Sequence, residues 1–352
     1  MPAINPFKIS FGVKPTNYIT RLEQSDIIID TFSASEVYTN ALLITGPRGS
    51  GKTVMLSNIA SHFKEDDNWL VVELIPSFDM LDQLASKIYD NSLAHRIIDG
   101  KSIGFSFQGV SFSIKGDKPV TNVTSLLEIL LNKLKKKNKR LLILVDEIAK
   151  NDYVRQFAQT FQLLLREEFD IFLLATGLYS NIYELQNDKT LTFLYRCPKI
   201  NLSPLNLETI AFSYQNYLKV SEKVSIDLAI LTKGYAFAYQ VVGFIMFKNK
   251  YNQINEGLLR EVDQYLKEYA YDKTWSELSS NDKRFLTGFN NNEINDVKDL
   301  LNNTKMDKKT FSIYRDRLIK RGLVNNEGYG KLSLSLPRFY NFINNKSIFS
   351  IY

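Results

Sequence analysis

The sequence has few of the residues that build covalently linked or metal-held folds. Its 352 residues include one cysteine, Cys197, and two histidines, His62 and His95. A single cysteine excludes an internal disulfide framework and any cysteine-rich zinc site. Neither histidine lies in a ligand or triad pattern, so we expect no histidine-based metal or acyl-transfer chemistry. A composition that is 44% hydrophobic can instead supply an ordinary apolar core.

Long apolar runs are also missing. Residues 235–247 form one of the longest, and they fall short of the roughly 18 residues that span a bilayer. The first residues, MPAINPFKISFG, lack the basic stretch and apolar core of a secretory signal. These features predict a cytoplasmic protein that does not contact the membrane.

Charge is balanced except towards the C-terminus. Residues 1–272 carry 30 basic and 30 acidic side chains, whereas residues 273–352 carry 14 and 8. The net charge of +6 therefore lies entirely in the second segment. The asymmetry suggests a module that faces an anionic partner, although a solvated basic face would give the same count.

A glycine-rich motif gives the clearest functional signal. The stretch GPRGSGKT fits G-x-x-x-x-G-K-[ST] and lies between a strand-like run, ALLIT, and a helix-like run. Backbone N–H groups of such a loop surround a phosphate, while Lys52 reaches the β- and γ-phosphates and Thr53 binds Mg²⁺. The predicted ligands are thus a nucleotide and Mg²⁺. The predicted nucleotide-binding residues are Gly46, Pro47, Arg48, Gly49, Ser50, Gly51, Lys52 and Thr53.

Two acids close a later apolar run, LLILVDE. Asp146 is suited to hold Mg²⁺, directly or through water, and Glu147 to polarise the water that attacks the γ-phosphate. The alternative is that Asp146 caps the next helix and Glu147 is merely exposed. The sequence contains no Asn-Lys-x-Asp guanine motif, no Leu-Ser-Gly-Gly-Gln stretch and no second motor domain, so we favour ATP over GTP.

The first 200 residues alternate strand-like and helix-like runs, which predicts an α/β fold with a parallel, helix-covered sheet. Ligands of such sheets bind at the carboxyl ends of the strands, where Gly46, Asp146 and Thr176 fall. The aromatic stretch at 103–116 is predicted as an inserted β-hairpin. The predicted strands are 41–45, 69–75, 141–147 and 169–177.

Only helices are predicted in residues 201–272, which we interpret as a lid domain. Residues 273–352 read as three helices and a two-stranded wing around Gly328 to Gly330, which together define a winged helix-turn-helix. If that module binds duplex DNA, its third helix and its wing supply the contacts. The candidate DNA-binding residues are Lys308, Lys309, Ser312, Arg315 and Lys331.

The order of the motifs resembles that of the AAA+ ATPases related to the origin-recognition and Cdc6 initiators, with a terminal winged helix. The resemblance covers nearly the whole chain. The segments that carry it are NPFKISFGVKPTNYITRLE, GPRGSGKT, LLILVDEI, LLATGLYSNIYEL, RCPKINLSPL, KGYAFAYQ and YRDRLIKRGLV.

Further roles follow from this resemblance alone. Thr176 corresponds to sensor 1, which aligns the attacking water, although a hydroxyl bonded at the strand end is an equal alternative. Arg21 resembles the arginine beside the adenine, with different neighbours. Arg196 stands where a finger reaches the γ-phosphate of a neighbouring subunit, unless it forms a surface ion pair. The segment that would carry a sensor 2 arginine contains Gly234 and Tyr235 but no arginine.

Two functions from different classes agree with these features. The first is a slow, Mg²⁺-dependent ATPase whose nucleotide state controls DNA binding through the winged helix. The second is an ATP-gated signalling or defence switch whose winged helix contacts a protein partner. Either could act as a homo-oligomer.

Overall fold

The apolar runs predicted as strands form one sheet in the computed structural model, which describes residues 4–9, 17–90 and 122–349. The strands are β1 (Ala41–Thr45), β2 (Trp69–Leu74), β3 (Arg140–Val145), β4 (Ile171–Gly177) and β5 (Lys199–Asn201). Their order is β2-β3-β4-β1-β5, and each neighbouring pair is parallel. The predicted α/β class with a parallel sheet is confirmed. Strand β5 was not predicted, because three residues carry no readable pattern.

Helices connect these strands as the alternating pattern requires. Two of them begin with an asparagine whose side chain caps the first turn: Asn122 accepts from the Ser125 amide and Asn151 from the Val154 amide. The helices are α1 (Leu22–Ser33), α2 (Lys52–Lys64), α3 (Met80–Asp90), α4 (Val123–Lys136), α5 (Asp152–Arg166), α6 (Tyr179–Gln186) and α7 (Thr192–Arg196).

The strand register fixes which residues reach the carboxyl edge of the sheet. Ile44 of β1 pairs with Thr176 of β4, and Val145 of β3 pairs with Ala175. Asp146 follows Val145 directly, so Asp146 and Thr176 leave the sheet at the same edge. Strand side chains on both faces of the sheet are buried and stabilise it.

The described residues divide into two units. The sheet unit comprises the described parts of residues 22–45 and 52–201, and the helical unit comprises those of residues 1–21, 46–51 and 202–352. The predicted hairpin at 103–116 lies outside the described residues. Across the described parts of the chain, no helix is both long and apolar enough to cross a membrane.

The helical unit contains the predicted helices after residue 201. They are α8 (Leu207–Leu218), α9 (Glu222–Thr232), α10 (Ala236–Asn249), α11 (Glu256–Leu266) and α12 (Asp272–Ser276). The sequence predicted one helix over 255–271, but a π-helical turn, Lys267–Tyr271, follows α11. This turn buries Ala270 and Tyr271.

The last segment forms the three predicted helices and the predicted hairpin, and it ends in a further helix, Phe339–Phe349, that was not predicted. The helices are α13 (Ser280–Leu286), α14 (Val297–Thr304), α15 (Lys308–Lys320) and α16 (Phe339–Phe349), and the strands are β6 (Asn295–Asp296), β7 (Val324–Asn326) and β8 (Lys331–Leu334). The sheet has three antiparallel strands in the order β6-β8-β7, not the predicted two. A two-residue strand such as β6 leaves no signal in the sequence.

Candidate nucleotide-binding site

The glycine-rich loop, residues 46–51, lies between β1 and α2. Gly49 and Gly51 have φ angles of +70° and +93°, which other residues rarely adopt. A Cβ at Gly46 would lie 2.6 Å from the Ser50 Oγ, so this position has no room for a side chain. The loop therefore needs glycine for backbone conformation at two positions and for close approach at a third.

One polar atom of the loop is buried and unsatisfied. Ser50 is 5% exposed, and its Oγ has no hydrogen-bond partner among the residues that the structure describes. A buried hydroxyl without a partner is costly, and a phosphate oxygen would satisfy it. The loop thus fits the phosphate group that the motif predicts.

Three carbonyl groups of the loop accept hydrogen bonds from residues outside the loop. The Tyr235 hydroxyl donates to the Arg48 carbonyl over 2.6 Å, and the Phe237 amide donates to the Gly49 carbonyl over 3.0 Å. Arg21 donates through Nη2 to the Ser50 carbonyl over 2.8 Å. Three consecutive carbonyls of the loop are therefore fixed by three donors of the helical unit.

Arg21 lies against backbone atoms. In addition to the Ser50 carbonyl, it donates through Nε to the Ser203 carbonyl over 2.9 Å. Burial lowers the pKa of Arg21 to about 10, which leaves the guanidinium charged at neutral pH.

Arg48 reaches the segment before α13. Its Nη2 lies 2.7 Å from Glu277 Oε1, and both side chains are 29% exposed. Its Nε is buried without a hydrogen-bond partner in the described part of the chain. The side chain of Arg48 is thus an ion-pair partner of Glu277 in this structure.

In the sheet unit, Asp146 is the centre of a hydrogen-bond network. The Thr53 hydroxyl donates to Asp146 Oδ2 over 2.7 Å, and the Thr176 hydroxyl donates to Asp146 Oδ1. The Glu147 amide donates to the Thr176 Oγ1 over 3.1 Å. The structure thus brings together Thr53, Asp146 and Thr176, which the sequence predicted as site residues.

The neighbours of this network differ in exposure. Thr176 is wholly buried, Asp146 is partly buried, and the Glu147 side chain is exposed on a left-handed residue with φ of 53°. Lys52, the first residue of α2, is only 9% exposed. Glu147, the predicted base, is therefore open to solvent, whereas Thr176 and Lys52 are buried.

The oxygen atoms at this edge suit Mg²⁺ better than a transition metal. Within residues 4–9, 17–90 and 122–349, no cluster of three His, Cys, Asp or Glu side chains could hold a metal by itself. Mg²⁺ needs no such cluster, because it is commonly bound by one or two protein oxygens together with phosphates and water. Thr53 and Asp146 together provide that kind of donor set.

Two comparisons with known families cover most of the chain. A model described as an ATPase domain predominantly from Archaea matches residues 33–215, more than half of the 352 residues. The chain belongs to this ATPase family. A model described as a domain of unknown function matches residues 268–343. That second match carries no function, so the winged helix and its DNA contacts stay predictions. No curated protein matches the chain.

Two of the solved structures that match the chain are archaeal proteins. The ORC2 protein of Aeropyrum pernix, in ADPNP and ADP complexes, is 15% identical over 96% of both chains, with a TM-score of 0.55. Cdc6p of Pyrobaculum aerophilum is 15% identical over 96% of both chains, with a TM-score of 0.49. At this identity the ORC2 match shows the fold alone. Together with the parallel five-stranded sheet, it supports the expected α/β fold, while the terminal winged helix stays a prediction.

Of the remaining predicted residues of this ATPase, Arg196, Lys308, Lys309 and Lys331 are exposed, whereas Ser312 and Arg315 are partly buried. Arg196 ends α7 and is exposed beside the buried Cys197, whose thiol pKa is raised to about 12 by burial. Lys308 and Lys309 are exposed at the start of α15, after the Asp307 cap.

Two other predicted DNA-binding residues touch each other. Arg315 donates to Asp316 Oδ1 over 3.0 Å and to the Ser312 Oγ over 3.3 Å. Lys331 is exposed at the first position of β8. Arg317 of the same helix pairs with Asp282 over 3.2 Å, so two guanidinium groups of α15 already have acidic partners.

Sequence reasoning did not find the role of Tyr235 in this ATPase. The functional prediction for the segment around Tyr235 was the absence of a sensor 2 arginine. In the structure, the Tyr235 hydroxyl and the Phe237 amide donate hydrogen bonds to carbonyls of the loop. One signal was present: Gly49 is a glycine that the motif does not require. An added Cβ there would lie 2.3 Å from the Tyr235 hydroxyl oxygen.

Proposed function

We propose that this chain binds ATP with Mg²⁺ at residues 46–53 and hydrolyses it slowly. The observation that carries the proposal is the 2.7 Å bond from the Thr53 hydroxyl to Asp146, which joins the last residue of the glycine-rich motif to the acid after β3. This pair of oxygens is the donor set that Mg²⁺ takes in P-loop ATPases. The ADPNP and ADP in the ORC2 structure are consistent with a nucleotide as the ligand.

Each site residue has a defined task in this proposal. The loop amides and Lys52 bind the phosphates, while Thr53 and Asp146 hold Mg²⁺, which neutralises charge on the phosphates when bound. Glu147 accepts a proton from the attacking water. Thr176 fixes Asp146 and the Glu147 backbone through its hydroxyl and in that way helps to place the base for the attacking water.

The test of binding is Lys52→Ala. Loss of the ammonium group should weaken the affinity for ATP itself, since Lys52 would contact the phosphates directly. Titration of the wild type and the variant with a non-hydrolysable ATP analogue measures this. Equal affinities would contradict the phosphate-binding role of the loop.

We further propose that nucleotide state controls DNA binding by residues 273–352, acting as a winged helix, with residues 201–272 as the lid. The support is the net charge of that segment and the exposed Lys308, Lys309 and Lys331. Binding to duplex DNA, measured at low and moderate salt with and without ATP, tests this. Failure to retain any duplex at low salt would contradict it.

The alternative, a signalling switch with a protein partner, has one observation in its favour. Ile313 is 56% exposed on α15, between the basic residues that would face DNA. An exposed isoleucine on that face suits a protein contact better than a phosphate backbone. Ile313→Lys should strengthen binding if the partner is DNA and weaken it if the partner is a protein.

Arg196 would act in trans if the chain assembles into homo-oligomers. Its exposure at the end of α7 leaves the guanidinium accessible to a neighbouring copy. In that case the rate of hydrolysis per chain should rise with protein concentration, and Arg196→Ala should abolish the rise. A rate that is independent of concentration would contradict the role.

A further inference from the structure

We propose that Tyr235 is a positioning residue for the phosphate-binding loop. The inference rests on the proposed nucleotide binding. Its basis is the set of three bonds in which the Tyr235 hydroxyl, the Phe237 amide and Arg21 hold the carbonyls of Arg48, Gly49 and Ser50.

Bonds to these carbonyls also orient the amides of the loop. In a trans peptide the carbonyl of one residue and the N–H of the next point in opposite directions. Fixing the carbonyls of Arg48 and Ser50 therefore directs the N–H groups of Gly49 and Gly51 away from the donors. Phosphate-binding loops work through N–H groups aimed to one side, so the bonded carbonyls favour the binding conformation.

The loop and Tyr235 also fit each other sterically. A Cβ at Gly49 would lie 2.3 Å from the Tyr235 Oη and 2.9 Å from the Phe237 Cβ. Glycine is therefore the residue that lets the start of α10 approach so closely. The motif does not need glycine at this position, which separates this contact from the general requirement of a phosphate loop.

Tyr235 is itself held in place. Its side chain is 6% exposed, and burial raises the pKa of its hydroxyl, so the group remains a donor at neutral pH. The Tyr235 amide donates to the Thr232 carbonyl over 2.9 Å, and the Leu205 amide donates to the Gly234 carbonyl over 2.8 Å. A donor on such a fixed turn can hold the loop without reorganising.

Tyr271 offers a matched control. Its hydroxyl also donates to a backbone carbonyl, that of Pro337, over the same 2.6 Å, and its side chain is also buried. Tyr235→Phe and Tyr271→Phe each remove one buried hydroxyl that bonds a carbonyl, so they should lower the melting temperature by similar amounts. Only Tyr235→Phe removes a bond to the loop.

The experiment measures the affinity of the full chain for a non-hydrolysable ATP analogue with Mg²⁺. We expect Tyr235→Phe to weaken it about fivefold to tenfold, the equivalent of one buried hydrogen bond, and Tyr271→Phe to leave it unchanged. Equal affinities for the two variants would overturn the inference while the proposed function stands. A wild type that binds no analogue would overturn the proposed function and the inference with it.

A second pair of variants serves if Tyr235→Phe does not fold. Gly49→Ala places a methyl group against Tyr235, whereas Gly330→Ala has the same φ of +70° with nothing within 4 Å of the added Cβ. Gly330→Ala measures the cost of left-handed strain to the fold without a new contact, whereas Gly49→Ala adds the contact with Tyr235 inside the loop. We expect weaker analogue binding for Gly49→Ala alone, and equal binding would overturn the inference.

Discussion

The glycine-rich loop and the hydrogen-bond network around Asp146 are stabilised by different kinds of contact. In the loop, main-chain carbonyls accept bonds from distant residues, and glycines allow close approach. In the sheet unit, the side chains of Thr53, Asp146 and Thr176 bond one another at strand and helix ends. The loop should therefore be sensitive to added volume, whereas the network should be sensitive to loss of a single oxygen.

The largest effect should come from Asp146→Ala. The change removes a proposed Mg²⁺ ligand and the acceptor of two hydroxyls, so we expect Mg²⁺-dependent hydrolysis to fall more than about a hundredfold. The free energy of unfolding should fall by about 1–3 kcal/mol, because the buried Thr176 hydroxyl loses its acceptor.

Asp146→Asn is the control for charge. It keeps an acceptor for one of the two hydroxyls and offers the other an N–H donor, which that hydroxyl can accept, while it removes the negative charge. Stability should therefore return in part while hydrolysis stays low. Hydrolysis at the wild-type rate in either variant would show that Asp146 does not hold the metal.

Thr176→Val should have the next largest effect. Valine keeps the shape but leaves the Glu147 amide without the Thr176 oxygen, which we expect to lower turnover about tenfold and stability by about 1 kcal/mol. Thr304→Val is the matched control, since Thr304 is 3% exposed and its hydroxyl bonds only the Leu301 carbonyl. Equal turnover in the two variants would mean that Thr176 contributes to stability and not to hydrolysis.

The smallest effect should come from Glu277→Gln, which breaks the ion pair with Arg48 next to the loop. Partly exposed ion pairs contribute at most about 1 kcal/mol, so the melting temperature should change by no more than about 3 °C. The difference should shrink further at high salt, because salt screens such pairs. A large loss of stability at any salt concentration would mean that this pair, and not the hydrogen-bonded carbonyls, holds the loop.

The two regions also differ in how far the sequence predicts them. Asp146 and Thr176 were predicted at one edge because each lies at the carboxyl end of an apolar run, and parallel strands bring those ends together. The contact of Tyr235 with Arg48 joins residues 187 positions apart through a carbonyl that every residue possesses. A backbone acceptor leaves no trace in the side-chain pattern, so only the additional glycine at position 49 could have signalled the contact.

The helices outside the site also show how far the sequence pattern predicts the structure. The long helices α5 and α10 were predicted from apolar spacing, and asparagine caps mark where α4 and α5 begin. The π-helical turn Lys267–Tyr271 was not predicted, because apolar spacing does not distinguish it from the α-helix before it. Its Tyr271 packs against Phe339 and bonds the Pro337 carbonyl, contacts with residues that follow much later in the chain. Local patterns predict elements, but they do not predict which carbonyl a distant hydroxyl will reach.

Hydrolysis by Glu147→Gln tests the central claim most directly. Glu147 is exposed and its side chain is not part of the network, so the substitution should leave folding and analogue affinity unchanged. If Glu147 is the base, Mg²⁺-dependent turnover of ATP should fall at least about a hundredfold while binding stays the same. Turnover equal to that of the wild type, at equal affinity, would contradict the proposed mechanism.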